Sequence, residues 1–183
     1  MNAIDTSLFF ALYNLAGTSR WGDHLIVFFG EYFIYVALLV LAYFLYRDYK
    51  QSDFLRLKLY LFALAAALFA RFGIASFIRL FIHRPRPFLA LSLSHLINDS
   101  TYSFPSGHTI FMFALATAVF FFNRKLAYFL YASGLLIGLA RVAGGVHYPS
   151  DIVGGIVLGI ATSIALHGLC KWVYPQLLAV KTI

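Results

Sequence analysis

The sequence predicts an all-α integral membrane protein: a helical bundle of five transmembrane helices with a short amphipathic helix at the N-terminus, or of six if that first segment also crosses. The 183 residues are 62% hydrophobic and only 11% charged, whereas soluble domains contain about 25% charged residues. Their mean hydropathy is +0.83. A soluble domain of this size could not bury so much apolar surface. The same apolar content excludes intrinsic disorder.

Five apolar runs predict the transmembrane helices, because about 20 residues in helical conformation cross a hydrocarbon core of about 30 Å. The third and fourth runs are shorter, so we expect polar first-turn residues at their ends. Glu31 interrupts the first run and Arg71 the second at similar depths, which indicates either a buried ion pair or two separate snorkelling side chains. The five runs are 25–46, 59–78, 106–122, 126–139 and 152–172.

The N-terminal segment 1–24 is predicted to be separate from a single catalytic domain formed by residues 25–183. Its apolar stretch, from Ser7 to Ala16, is too short to cross a bilayer and is followed by polar residues. We therefore expect a helix lying at the membrane surface. No basic region precedes this stretch, which argues against a signal peptide. The single cysteine, Cys170, excludes an intramolecular disulfide and a cysteine metal cluster.

The net charge of +7 is explained by membrane topology, and no nucleic-acid partner is expected. Positive residues accumulate in cytoplasmic links, and this rule places the 47–58 link, the 123–125 link and the C-terminus in the cytoplasm. The basic residues on that side outnumber those on the other. They are Arg47, Lys50, Arg56, Lys58, Arg124, Lys125, Lys171 and Lys181.

Three polar clusters, at 79–87, 105–108 and 141–151, lie at the ends of predicted spans. Alternation of the spans puts all three on the same, outer face of the membrane. That placement predicts one site built from three helix ends.

Arginines and a helix start in these clusters point to an anion site. The side chains of Arg79, Arg86 and Arg141 are permanent cations whose forked donors suit a tetrahedral oxyanion. Ser106 and Gly107 lie where the third span begins, and the N–H groups and dipole of a helix start favour an anion. Arg84, in the same cluster, is interpreted as a side chain anchored at the membrane interface.

Two histidines and one carboxylate supply candidate reactive groups. His108 and His147 can titrate near neutral pH. Asp151 follows His147 by four residues, so one helical turn would bring the two side chains together. A carboxylate on one imidazole nitrogen fixes the tautomer and raises the basicity of the other nitrogen. This pairing predicts a nucleophilic histidine.

The three clusters together resemble the signature of the type 2 phosphatidic acid phosphatase (PAP2) superfamily. The matching elements, in order and spacing, are Arg79-x6-Arg86-Pro87, Pro105-Ser106-Gly107-His108 and Arg141-x5-His147-x3-Asp151. The resemblance implies a membrane-embedded helical core over roughly residues 25–172. Two positions depart from the family pattern: Arg79 replaces a usual lysine, and Ala140 replaces a usual serine.

The resemblance also implies a role for each site residue and no cofactor. His147 would attack phosphorus and form a phosphohistidine, Asp151 would orient it, and His108 would protonate the leaving oxygen. No metal is implied, because arginines bring the positive charge. The residues implied to hold the phosphoryl oxygens are Arg79, Arg86, Ser106, Gly107 and Arg141.

The compact chain is most similar to the bacterial undecaprenyl diphosphate phosphatases of this superfamily. This similarity implies a lipid phosphate substrate, a bacterial inner membrane and an active site on the periplasmic face. Phosphatidylglycerophosphate, phosphatidic acid and lipid A phosphatases would share the site and differ in the groove formed by residues 88–104. A protein that binds or transports anionic lipids without hydrolysis is the alternative from another class.

Overall fold

The computed structural model describes residues 3–173, and within them the chain forms helices joined by short links, without a β-strand. Expectations for Lys181 and for a cytoplasmic C-terminus fall on residues outside this range. The helices are α1 (Ala3–Tyr13), α2 (Arg20–Lys50), α3 (Phe54–Arg79), α4 (Pro87–Ala90), α5 (Gly107–Phe120), α6 (Arg124–Ala143) and α7 (Pro149–Val173).

Four of the five predicted spans correspond to helices that are long and apolar enough to cross a membrane, namely α2, α3, α6 and α7. Helix α5 is apolar but only 14 residues long, about 21 Å at helical rise. Its residues from Thr109 to Val119 are all buried, so α5 is the central helix of the bundle and is sheathed by its neighbours. The protein is therefore an integral membrane protein with a helical core.

Small residues bring helices α6 and α7 close to the central helix. A methyl group at Gly159 of α7 would lie 2.6 Å from the carbonyl oxygen of Ile110, and one at Gly134 of α6 would lie 3.0 Å from Cβ of Met112. Such close packing is typical of helices in membranes. Since the end of α6 and the start of α7 are both next to the start of α5, this packing positions the site.

The N-terminal region differs from the prediction in two ways. Helix α2 begins at Arg20, so residues 20–24 continue into the first long helix instead of forming part of a separate segment. Helix α1 is too short to span, as expected. Its polar and apolar side chains are not arranged as we expected for a helix that lies on the membrane surface. It buries Asp5 against the bundle, whereas Ile4 and Leu8 are exposed. The physical reason is that Asp5 accepts a hydrogen bond from the backbone N–H of Ser150.

The two charged residues within the first two spans lie in π-helical turns, Glu31 in Phe28–Tyr32 and Arg71 in Phe69–Ile74. The predicted ion pair between them is wrong, because no contact within 4.0 Å joins the two groups. Equal depth does not fix the direction in which a side chain leaves its helix. Each of these side chains lines its own cavity, and wide π-helical turns are frequent at functional sites.

Candidate active site

His147 and Asp151 lie side by side at the junction of α6 and α7. His147 is in the connecting loop and is 1% exposed, and Asp151 is in the first turn of α7 and is fully buried. The distance from His147 Nδ1 to Asp151 Oδ2 is 3.5 Å. The same carboxylate oxygen accepts a hydrogen bond of 2.8 Å from the backbone N–H of Tyr148. The predicted pairing is therefore present as a close contact, longer than a hydrogen bond of ordinary length.

The contacts of the His147 ring indicate which nitrogen carries the proton. Nη1 of Arg86 lies 3.3 Å from His147 Nε2. A guanidinium has donors and no acceptor, so Nε2 must present its lone pair. The proton of the neutral ring then sits on Nδ1, on the side of Asp151. This tautomer leaves Nε2 as the nitrogen available for nucleophilic attack.

The electrostatic surroundings keep His147 neutral. Burial lowers the pKa of His147 well below its usual value, and the cationic side chains of Arg141 and Arg86 lower it further. At neutral pH the imidazole therefore carries no charge, and no proton occupies the lone pair on Nε2.

Arg84 supports the His147–Asp151 pair. Its Nη1 donates a hydrogen bond of 2.6 Å to Asp151 Oδ1, and its Nη2 lies 2.6 Å from Oδ2 of Asp5 on helix α1. The guanidinium also lies over the ring of Tyr148, with 4.0 Å from Cζ to the centroid. The interpretation of Arg84 as an interface anchor is therefore wrong. Arg84 thus holds Oδ1 of Asp151, and Oδ2 faces His147 and the backbone N–H of Tyr148.

Asp99, which the sequence analysis did not single out, joins two of the predicted phosphate-binding arginines. Its Oδ1 lies 2.8 Å from Nη2 of Arg86, and its Oδ2 lies 2.7 Å from Nη2 of Arg141. Burial alone would raise the pKa of Asp99, but these two cations outweigh it and hold the pKa below its usual value. One signal was available in the sequence: Asp99 is the only acidic residue between Asp53 and Asp151, in a region with several arginines.

The predicted phosphate-binding arginines also keep donors that no other group uses. Nη2 of Arg79 donates 2.8 Å to the carbonyl oxygen of Pro105, and Nη1 of Arg141 donates 3.2 Å to that of Gly30 in the π-helical turn. The Nε atoms of Arg79 and Arg141 are buried and have no hydrogen-bond partner. Buried donors without partners cost free energy, so these groups can gain by binding an anion.

Only some residues of the 105–108 segment line a cavity. Gly107 and His108 line a cavity of about 260 Å³, whereas Ser106 is fully buried. The Ser106 hydroxyl accepts a hydrogen bond of 3.0 Å from Thr109, and its N–H donates to the carbonyl oxygen of Asp151. Ser106 thus ties the start of α5 to α7, and its hydroxyl does not line the cavity.

Two cavities lie among the predicted site residues. The Arg71 cavity, of about 260 Å³, is lined by Arg71, Arg79, Gly107 and His108 together with Asp99. The Glu31 cavity, of about 230 Å³, is lined by Glu31, Tyr35 and Arg141 and shares Asp99 and His108 with the first. Asp99 and His108 therefore stand between the two cavities, and neither His147 nor Arg86 lines either of them.

The charges of the site suit a phosphoryl group. Arginines supply the positive charge around the buried histidine, and within residues 3–173 no three His, Cys, Asp or Glu side chains are grouped as ligands for a metal ion. A helical membrane bundle with a buried histidine beside a carboxylate, a second histidine and converging guanidinium groups has the features of a membrane-bound phosphatase.

Comparison with known proteins identifies the family: residues 56–174 match the PAP2 superfamily, and the chain belongs to it. The chain is 35% identical over 155 residues to undecaprenyl-diphosphatase BcrC of Bacillus subtilis (strain 168), which covers 84% of this chain and 77% of that protein. The protein is accordingly a hydrolase that acts on phosphate esters or diphosphates.

Two solved structures show the same fold. LpxE from Aquifex aeolicus superposes with a TM-score of 0.71 at 25% identity, over 91% of this chain and 96% of that one. The PAP2-type phosphatidylglycerolphosphate phosphatase from Bacillus subtilis gives a TM-score of 0.65 at 19% identity, over 96% and 90% of the two chains. The bundle described above is therefore shared with membrane phosphatases.

Proposed function

We propose that this protein removes the terminal phosphate of undecaprenyl diphosphate and yields undecaprenyl phosphate. The observation that carries the proposal is the convergence of Arg86 and Arg141 on one anion, the Asp99 carboxylate, while Arg86 also contacts Nε2 of His147. The terminal phosphate of the substrate takes the place of this carboxylate. Similarity to an undecaprenyl-diphosphatase supports the choice of lipid.

In the first step of the proposed reaction, Nε2 of His147 attacks the terminal phosphorus. A P–N bond forms and the bond from phosphorus to the lipid-side oxygen breaks. His108 donates a proton to the departing oxygen. Asp151 stabilises the charge that develops on the imidazole, through its contact with Nδ1. The product of this step is a phosphohistidine and the free lipid phosphate.

In the second step, His108 acts as a base and takes a proton from water. The water oxygen attacks the phosphohistidine, the P–N bond breaks, and inorganic phosphate leaves with His147 restored. Donors around the phosphoryl group stabilise the charge of both transition states. These donors are Arg79, Arg86, Arg141, the Gly107 amide and Ser106, whose hydroxyl keeps its own hydrogen while it accepts from Thr109.

The position of the site fits an amphiphilic substrate. A phosphate site at the end of a helical bundle is reached by a lipid whose chains stay in the bilayer. We place the protein in a bacterial inner membrane with the site on the periplasmic face, because the basic links at the opposite end suit the cytoplasm. The partners in this account are the lipid phosphate and the surrounding membrane lipids.

Phosphate release by detergent-purified protein tests the proposal. The substrates are undecaprenyl diphosphate, phosphatidylglycerophosphate, phosphatidic acid and lipid A, each with a metal chelator, for the wild type and His147→Ala. We expect release to be fastest from undecaprenyl diphosphate and absent in the variant. Preference for another lipid would overturn the substrate and keep the reaction. Failure of folded wild type to release phosphate from any lipid would favour binding or transport without hydrolysis.

A further inference from the structure

Arg71 is a half-buried cation that the proposed reaction does not use. It lies in the π-helical turn of α3, and no carboxylate forms an ion pair with it in the part of the chain that the structure describes. Its Nη1 is buried without a hydrogen-bond partner. The ring of Phe72 lies 5.4 Å from its Cζ. A guanidinium with a buried and unused donor is costly unless an anion joins it.

The Arg71 guanidinium lies against the start of α5. A side chain at Gly107 would begin 2.7 Å from Nη1 of Arg71 and 3.6 Å from Nη2 of Arg79. Two guanidinium groups therefore flank Gly107, where the N–H groups and the dipole of α5 also favour negative charge. Both arginines line the Arg71 cavity together with His108.

The direction of the reaction decides which group enters this cavity. In phosphoryl transfer the attacking and leaving atoms lie roughly in line on opposite sides of phosphorus. Nε2 of His147 contacts Arg86, and His108, the proposed acid, lines both the Arg71 cavity and the Glu31 cavity. The Glu31 cavity contains a carboxylate, which disfavours an anionic leaving group, whereas the other contains Arg71 and Arg79. The leaving group therefore departs into the cavity that contains Arg71.

We propose that Arg71, which lies beside the phosphoryl-binding Arg79 and Gly107, forms a second phosphate subsite that binds the lipid-side phosphate of a diphosphate substrate. This inference rests on the proposed function and sharpens it. Attack on the terminal phosphorus breaks the bond to the bridging oxygen, and the electron pair stays on that oxygen. The leaving group is then a lipid monophosphate, whose charge Arg71 stabilises. An alcohol leaving from a monophosphate gains much less from this cation.

Other partners within reach do not explain Arg71. Glu31 lines the other cavity, next to Arg141. Asp99 lines the Arg71 cavity, but its two oxygens are engaged by Arg86 and Arg141. Arg71 could instead pair with Asp99 once the substrate has displaced that carboxylate from Arg86 and Arg141. Loss of Arg71 would then lower the turnover of diphosphates and monophosphates equally, and the experiment below distinguishes the two roles.

The test compares a diphosphate and a monophosphate that carry the same prenyl chain. We would measure kcat/KM for phosphate release by the wild type, Arg71→Met and Arg71→Lys. The control is Arg56→Met, which removes an arginine from the other end of the same helix. We expect Arg71→Met to lose about 100-fold on the diphosphate and less than about threefold on the monophosphate, with partial recovery in Arg71→Lys.

Equal losses on the two substrates, or no loss on the diphosphate, would overturn the second subsite. The binding of inorganic pyrophosphate and phosphate, measured by calorimetry, gives the same comparison without turnover: Arg71→Met should weaken pyrophosphate binding and leave phosphate binding unchanged. Wild type that turns over only the monophosphate would overturn the proposed substrate. Wild type that prefers the diphosphate, with Arg71→Met showing the same preference, would overturn only the subsite.

Discussion

The two ends of the helical bundle both collect positive side chains, yet they differ in how those side chains are held. At the site end, Arg86 and Arg141 are 1% and 2% exposed. At the opposite end, a cavity of about 600 Å³ is lined by Arg47, Arg56 and other cations, and the side chains of these two arginines are 33% and 32% exposed. The difference is one of burial.

The partners of the cations differ as well. At the opposite end, Arg47 pairs with the adjacent Asp48 and Arg56 pairs with the nearby Asp53. At the site end, Arg86 and Arg141 meet on one carboxylate, although they lie in different parts of the chain. Each arginine of the opposite end is about one-third exposed and pairs with a neighbour in sequence, as is typical of the basic links that set membrane topology. Convergence of buried cations on one anion is what makes a site.

We expect the largest loss of activity, and the largest contrast with a control, for two histidines near the two ends of helix α7. His147→Ala removes the proposed nucleophile, and we expect kcat to fall by about 10⁴-fold or more. The matched control is His167→Ala, which removes a ring stacked on Phe121 far from the site. Phosphate release from undecaprenyl diphosphate measures both. Similar activity in the two variants would contradict the assignment of His147.

We expect a smaller loss of activity when an arginine is removed from the site end of helix α6, and almost none at its other end. Arg141→Met removes one of the two cations that converge on Asp99, and loss of such a donor costs about 10²- to 10³-fold in kcat. Arg124→Met removes an arginine from the first turn of the same helix, and we expect a change within about twofold, as for exposed charges. Steady-state kinetics on the purified variants compares them. A loss of the same size in Arg124→Met would abolish the distinction between the ends.

Arg84 should show an intermediate effect, because it acts through Asp151. Arg84→Met frees the Asp151 oxygen that Arg84 now holds, so the carboxylate can turn away from His147. We expect kcat to fall by about 10- to 100-fold, below the cost of removing a catalytic acid or base, with KM unchanged and with partial recovery in Arg84→Lys. A rise in KM at constant kcat would instead place Arg84 among the substrate-binding groups.

We expect the smallest effect from a change at Asp99, the carboxylate that lies between the two buried arginines. Asp99→Asn removes the negative charge that competes with a phosphate between Arg86 and Arg141. We expect vanadate, which mimics the phosphoryl transition state, to inhibit this variant at a concentration about three- to tenfold lower, since a competing internal state reduces apparent affinity. Asp53→Asn, at the opposite end, is the matched control. Weaker inhibition of Asp99→Asn would show that Asp99 helps to bind the anion.

Helix positions and the convergence of the three clusters could be predicted from the sequence, because apolar runs and motif spacing are local signals. The contacts of Asp99 and Arg84 could not, since they depend on the path of loops that bring residues 84–101 over the helix ends. The pairing predicted for Glu31 failed for a related reason: depth along a helix is readable from sequence, and the direction of a side chain at a π-helical turn is not.

The central claim, that His147 is the nucleophile of this site, is tested most directly by trapping the intermediate. Purified protein is mixed with a lipid diphosphate labelled at the terminal phosphate, quenched in alkali, and mapped by mass spectrometry. The account predicts an acid-labile phosphate on His147 in the wild type and in His167→Ala, and none in His147→Ala. Rapid turnover with no phosphate on His147, or with the label on another residue, would contradict it.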